Sequence, residues 1–117
     1  TTEVARVLSE KTVKDLTQMM IGVVEEGYGK KAGVPGFWVA GKTGTAQIAN
    51  TDGPGYQEGV FIHSFAGFAP ADDPKFALLV RLDKPKNARF AESSAAPVFG
   101  DIASYLLNYY YRLSPNR

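Results

Sequence analysis

Cysteine is absent from this 117-residue sequence, and histidine and tryptophan occur once each. Without cysteine, the chain has neither a disulfide framework nor a thiol nucleophile. The single histidine, His63, cannot build a metal site alone, and no cluster of carboxylates suggests one. We therefore predict no metal and no cofactor. The longest uninterrupted apolar run, residues 76–80, is far too short to cross a bilayer.

An excess of charge of either sign is also missing. Thirteen Lys and Arg against 12 Asp and Glu give a net charge of +1, so we expect no broad attraction to nucleic acid. A hydrophobic fraction of 44% is typical of a globular protein, and this length suffices for one core. The sequence shows no signal peptide and begins with Thr1 rather than methionine. We expect a processed, excised or truncated piece of a larger protein.

Apolar periodicity predicts the order helix, strand, strand, strand, helix. The predicted elements are a helix over 10–26 capped by Ser9 or Thr12, strands over 37/38–48, 60–69 and 75–83, and a C-terminal helix that begins within 94–97. The short turn at 70–74 implies an antiparallel hairpin. The connection 49–59 is rich in turn residues, and its length is typical of a lid or binding loop. The predicted fold class is therefore α/β of the α+β type, an antiparallel sheet flanked by helices.

The stretch that carries chemistry is Val-Ala-Gly-Lys-Thr-Gly-Thr-Ala-Gln at 39–47, within the first predicted strand. Alternate side chains of a strand point to the same face, so Thr43 and Thr45 share a face. Gly44 lies between them and permits a close approach to the backbone. Two hydroxyls, the nearby ammonium of Lys42 and edge amides are suited to holding a carboxylate and a developing oxyanion.

A second motif competes for the same residues. Residues 36–43 satisfy the phosphate-loop pattern G-x-x-x-x-G-K-[ST]. Such a loop requires a strand before its first glycine and a helix that starts near its lysine. Here the first glycine follows a loop, and the residues after Lys42 have no helical period. The context therefore disfavours nucleotide binding.

Four sequence blocks together resemble the C-terminal part of the transpeptidase domain of class B penicillin-binding proteins, the cell-division and sporulation type. These blocks are residues 39–47, Ser-Phe-Ala-Gly-Phe-Ala-Pro at 64–70, Ala-Asp-Asp-Pro at 71–74 and Ala-Ala-Pro-Val-Phe at 95–99. The likeness covers nearly the whole chain. It implies that residues 1–117 are the C-terminal portion of one penicillin-binding/β-lactamase-like transpeptidase domain.

The resemblance implies the function of a peptidoglycan D,D-transpeptidase that works through a serine acyl-enzyme and is acylated by β-lactams. Lys42 would supply positive charge in the site. The backbone N–H of Thr45 would be one of two oxyanion donors, and both residues are predicted to be catalytic. The predicted substrate-binding residues are Thr43, Gly44, Thr45, Gln47 and Phe90, the last as the wall of an apolar pocket or as plain loop packing.

The nucleophile is missing from the sequence. No S-x-x-K occurs, and no S-x-N precedes Lys42. The expected partners are therefore an upstream segment of the same domain that carries both motifs, peptidoglycan stem peptides, β-lactams and other cell-division proteins. The fragment alone is predicted to be inactive. The expected location is the outer face of the bacterial cytoplasmic membrane, with an anchor outside this chain.

Two further interpretations stay open at this point. The first is a β-lactam sensor, or a non-catalytic domain that only binds wall peptides or penicillin. The second is a structural role for individual residues, which we favour for His63 and Tyr56. Without a nucleophile beside it in this chain, His63 has no triad to join.

Overall fold

The computed structural model describes residue 2 and residues 5–112. Its elements are α1 (Glu10–Glu25), β1 (Ala40–Ala49), β2 (Tyr56–Ala69), β3 (Phe76–Asp83) and α2 (Ala95–Arg112), with short 3₁₀ turns at Lys30–Ala32 and Ala91–Ser93. The three strands form one antiparallel sheet in the order β1-β2-β3. The predicted order of elements and the fold class are confirmed.

Local capping explains where α1 begins. Ser9 has an extended backbone, and its side-chain oxygen accepts a hydrogen bond from the backbone N–H of Thr12 at 3.1 Å. This contact satisfies one of the amides that a helix N-terminus leaves unpaired. The helix ends at Glu25, one residue before the predicted end.

The hairpin between β1 and β2 corrects two predicted boundaries. β1 starts at Ala40, the first residue that pairs with β2, opposite Phe68. The residues before it form a turn in which Gly36 has a φ of +87°. β2 starts at Tyr56, since Tyr56 pairs with Ala49 across the hairpin. The predicted long connection over 49–59 is therefore wrong, and a shorter turn over 50–55 joins the strands.

The strand register defines two faces of the sheet. Thr43 lies opposite Phe65, Thr45 lies opposite His63, and Gly41 lies opposite Gly67. Residues directly opposite each other in an antiparallel pair share a face. These six residues therefore lie on one face, and the neighbouring pair Ala66 and Leu79 belongs to the other.

The core lies between the first face and helix α2. The rings of Phe65 and Phe99 are both fully buried and 4.7 Å apart between centroids. Ala95, Ala103 and Leu107 are also buried along the same side of α2. On the second face Leu79 is 65% exposed, so the described helices cover mainly one side of this sheet.

Neither α1 nor α2, the two long helices among the described residues, is apolar enough over a sufficient length to cross a membrane. Exposed apolar side chains nevertheless remain on α1, where Met19 is 66% exposed.

Gly67 is required because two elements meet at its Cα. A Cβ atom added there would lie 2.5 Å from the carbonyl oxygen of Ala40 and 2.9 Å from Cζ of Phe99. We therefore expect Gly67→Ala to lower the free energy of unfolding by about 1–3 kcal/mol, as overpacking does. Urea denaturation measures this change.

The matched control is Gly22→Ala in α1, where an added Cβ meets nothing within 4 Å. That substitution should stabilise the protein by about 0.5–1 kcal/mol, because alanine restricts the unfolded chain and favours a helix. Equal effects of the two substitutions would contradict the packing described at Gly67.

Candidate active site

The Lys-Thr-Gly-Thr segment is extended along β1, at the margin of the sheet. Residues 42–45 all lie within this strand, and each is paired with a residue of β2. Thr43 is half-buried, and Thr45 is exposed on the same face. The predicted placement of the two hydroxyls along one side of an edge strand is confirmed.

The backbone of this segment presents hydrogen-bonding groups away from β2. Nζ of Lys42 donates to the carbonyl oxygen of Thr43 at 3.1 Å and lies 3.2 Å from its hydroxyl oxygen. β1 is an outer strand of the described sheet, so one of its margins is unpaired. Because backbone groups alternate in an antiparallel ladder, the N–H of Thr45 points to the same side of β1 as the carbonyl of Thr43.

A cleft of about 340 Å³ opens beside the two threonines. It is lined by Tyr28, Thr43, Thr45, Phe90, Ala91 and Glu92. One wall comes from β1, and the opposite wall comes from the segment that precedes α2. Phe90 is 50% exposed and adds an aromatic residue to the lining of this cleft.

The structure brings together some of the predicted site residues and separates others. Thr43, Thr45 and Phe90 line one cleft, although more than forty residues separate Thr45 from Phe90. Gly44 faces the other side of the sheet, where an added Cβ would meet Oγ of Ser64 at 2.5 Å. Gln47 is exposed on β1 but is not among the residues that line the cleft.

Two lining residues have no signal in the sequence. Tyr28 follows α1 in a glycine-rich loop, is 77% exposed and reaches the cleft. Glu92 adds a carboxylate-bearing residue to the lining of the same cleft. Their positions depend on where the loop after α1 and the segment before α2 lie, and neither location follows from a local pattern.

The structure also distinguishes the Lys-Thr-Gly strand motif from the phosphate-loop pattern at residues 36–43. Residues 34–37 form a tight turn with a bridge between Val34 and Phe37, so no strand precedes Gly36. Lys42 lies inside β1, and no helix starts beside it. The phosphate-loop interpretation is therefore wrong.

A larger concavity lies elsewhere, with a volume of about 600 Å³. Its lining comes from residues 24–38, including Val24, Lys30 and Trp38. Neither threonine of the edge strand reaches it. The smaller cleft is the candidate site because the two threonines of the Lys-Thr-Gly-Thr segment and the aromatic ring of Phe90 converge there.

The ion pair between Arg81 and Asp83, near the end of β3, lowers the pKa of the aspartate. Nε of Arg81 donates to Oδ1 of Asp83 at 2.7 Å, and this hydrogen bond lowers the pKa of the Asp83 carboxyl. A carboxyl with a lowered pKa in the folded state stabilises the fold above its ordinary pKa, and that stabilisation is lost as the pH falls.

Replacing the arginine tests this pair. In Arg81→Met, we expect the pKa of Asp83 to rise toward its ordinary value near 3.8, because the guanidinium donor is gone. The measurement is a carboxyl-carbon NMR titration. A matched control is Lys84→Met, since Lys84 contributes only the last of the causes that lower this pKa. An unchanged pKa in Arg81→Met would contradict the assignment.

Lys-Thr-Gly is one motif element of the penicillin-binding proteins and class A β-lactamases, and here it lies on an edge strand of an antiparallel sheet beside a cleft. Comparison with known families agrees. The sequence model of one family, the penicillin binding protein transpeptidase domain, matches residues 1–104 of this chain. The chain belongs to this family, and the resemblance to class B penicillin-binding proteins is confirmed.

Individual relatives support the same assignment. The chain is 42% identical over 111 residues to penicillin-binding protein PbpB of Mycolicibacterium smegmatis, covering 87% of this chain and 17% of that protein. It is 47% identical over 98 residues to stage V sporulation protein D of Bacillus subtilis, covering 83% of this chain and 15% of that protein. It therefore spans about a sixth of the length of these relatives.

The fold matches solved structures as well. Penicillin binding protein 3 of Mycobacterium tuberculosis, in complex with ampicillin, superimposes with a TM-score of 0.82 at 38% identity. That match covers 91% of this chain and 25% of that one. The transpeptidase domain of Burkholderia pseudomallei penicillin-binding protein 3 gives 0.80 at 33% identity, covering 97% and 34%.

Proposed function

We propose that this chain is the C-terminal part of a peptidoglycan D,D-transpeptidase domain and supplies one wall of its acylation site. The observation that carries the proposal is the convergence of Thr43, Thr45 and Phe90 on one cleft at the open margin of β1. Family membership supports it, because relatives of this chain include proteins named peptidoglycan D,D-transpeptidase FtsI.

The reaction is acyl transfer through a serine. The serine oxygen attacks the carbonyl carbon of the penultimate D-alanine, the bond to the last D-alanine breaks, and the serine proton ends on the departing amine. An amine of a neighbouring stem peptide then attacks the acyl-enzyme. This second step forms the cross-link and returns a proton to the serine. A β-lactam would replace the donor peptide and leave a slowly hydrolysed acyl-enzyme.

The edge strand serves this chemistry through rigid groups. The outward N–H of Thr45 would donate to the oxyanion of the tetrahedral intermediate, which is worth about 3 kcal/mol of barrier for one donor. The hydroxyls of Thr43 and Thr45 would hold the substrate carboxylate. Lys42, which is hydrogen-bonded to Thr43, adds a positive charge that favours binding of the carboxylate.

The remaining catalytic groups would come from an upstream segment of the same domain. The sequence contains no S-x-x-K, and no S-x-N precedes Lys42. We propose that this segment supplies the serine, its base and an anchor that places the domain on the outer side of the bacterial cytoplasmic membrane. Other division or sporulation proteins would be its partners there.

A second candidate function is a β-lactam sensor or a non-catalytic domain that binds wall peptides. The observation behind it is that the threonine hydroxyls and the Phe90 ring in the cleft can recognise a wall peptide or a penicillin whether or not turnover follows. Turnover separates the two functions, since a transpeptidase releases D-alanine from a stem pentapeptide and a sensor does not.

The first test uses the longer protein that carries this sequence and a fluorescent penicillin. We expect Thr45→Pro to slow covalent labelling about 100-fold or more, because proline removes the oxyanion donor. Proline is tolerated at an edge position whose N–H lies outside the ladder. Labelling is measured by gel fluorescence against time.

Thr45→Val is the matched control, because it keeps the N–H and loses only the hydroxyl. It should slow labelling only about tenfold, the worth of one hydrogen bond to a charged group. The isolated 117-residue chain should stay unlabelled. Labelling of that chain alone, or equal rates in the two Thr45 variants, would contradict the proposed roles.

The second test concerns the apolar wall. Phe90 is half exposed, so Phe90→Ala should leave the fold intact. We expect it to weaken initial binding of penicillins with an aromatic side chain about tenfold, because it removes apolar contact area from the cleft. Saturation of the labelling rate measures this binding. Phe90→Tyr is the control that retains the ring, and a loss of the same size there would exclude the wall function.

A further inference from the structure

His63 is the most deeply buried polar side chain of the described core, with no exposed surface. It lies in β2 directly opposite Thr45, on the face shared by the two residues. The imidazole therefore lies beside the part of β1 that forms one wall of the cleft. The roles proposed above for the strand do not use it.

A short hydrogen bond joins this histidine to the other wall. Nδ1 of His63 lies 2.7 Å from Oγ of Ser94. The same hydroxyl donates to the carbonyl oxygen of Phe90 at 3.3 Å. These two contacts link His63 in β2, through Ser94, to the backbone of Phe90, which lines the cleft.

The tautomer of His63 sets the direction of the shorter contact. Either Nδ1 carries a proton and donates it to Oγ of Ser94, or Nδ1 accepts from the Ser94 hydroxyl, and both arrangements join β2 to residues 90–94. Nε2 of His63 is buried and has no partner within the described part of the chain.

The unpartnered Nε2 raises the question of why a polar residue occupies this buried position. An apolar side chain would fill this position without leaving a polar atom unsatisfied. The contact that offsets this cost is the one between Nδ1 and Ser94. What that contact does locally is hold residues 90–94 against the sheet.

We propose that His63 is a positioning residue that sets the distance between the two walls of the cleft. Through Ser94 it holds Phe90 opposite Thr45, so that a ligand meets a preformed apolar wall. This inference rests on the proposed function. It adds a specificity determinant outside the Lys-Thr-Gly-Thr strand.

The test measures acylation of the longer protein by a fluorescent penicillin with an aromatic side chain, over a range of concentrations. Ser94→Ala and His63→Leu should each raise the apparent dissociation constant of the initial complex about fivefold to tenfold, which corresponds to one hydrogen bond. The limiting acylation rate should change less than twofold, because the oxyanion donor on β1 is untouched. A defect of the fold alone would lower the active fraction instead.

Three variants sharpen this result. Ser94→Thr keeps the hydroxyl and should restore binding. The double variant His63→Leu with Ser94→Ala should be no worse than either single one, because both break the same bond. Ser93→Ala is the matched control, since Oγ of Ser93 donates to Phe90 at 3.0 Å but does not contact His63. Equal effects of Ser93→Ala and Ser94→Ala would overturn the inference.

A second measurement separates this inference from the proposed function. Amide hydrogen exchange of residues 90–94 should be at least about threefold faster in Ser94→Ala, because breaking the contact loosens this segment. If the unsubstituted protein is not labelled by penicillin, the proposed function fails, while the exchange result still decides whether His63 holds the segment. Unchanged exchange in Ser94→Ala would overturn the inference in either case.

Discussion

The contact on which the rest of this structure depends is the packing of Phe65 against Phe99 over a pair of opposed glycines. Gly41 and Gly67 lie opposite each other in β1 and β2. A Cβ atom on Gly41 would clash with the Phe65 ring. Because neither glycine carries a side chain, α2 approaches the sheet closely enough for the two rings to touch. This approach brings the segment before α2 beside the edge strand. The cleft is a consequence of that packing.

The site also depends on an edge that stays open. An unpaired strand margin is a liability in most proteins, because it invites pairing with other chains. The proposed function places the backbone N–H of Thr45 at this margin, and the hydroxyls of Thr43 and Thr45 share one face of the strand. A donor already committed to a ladder could not stabilise an oxyanion, so the proposed function requires the unpaired margin. Lys42, bonded to Thr43, keeps a cation beside it.

The elements that follow local patterns were predictable, and those that depend on distant partners were not. The period of α1 and the capping by Ser9 indicated a helix within one residue of its observed end. The start of β2 at Tyr56 was not predictable, because the glycine-rich stretch before it pairs only once the hairpin closes on Ala49. Tyr28 reaches the cleft because the loop after α1 packs beside the sheet, which no pattern around Tyr28 encodes. Gln47 shares the face of the threonines but lies beyond the cleft.

The chemistry of the edge strand and the family of the chain follow from local sequence patterns. Alternation along a strand is a local property, so two threonines on one face follow from their spacing alone. Tertiary packing brings Phe90 and Glu92 into one cleft with those threonines, and it brings His63 within reach of Ser94. Those neighbours are far apart along the chain and meet because α2 packs on one face of the sheet. Contacts of that kind are set by the shape of the whole core, which no single segment contains.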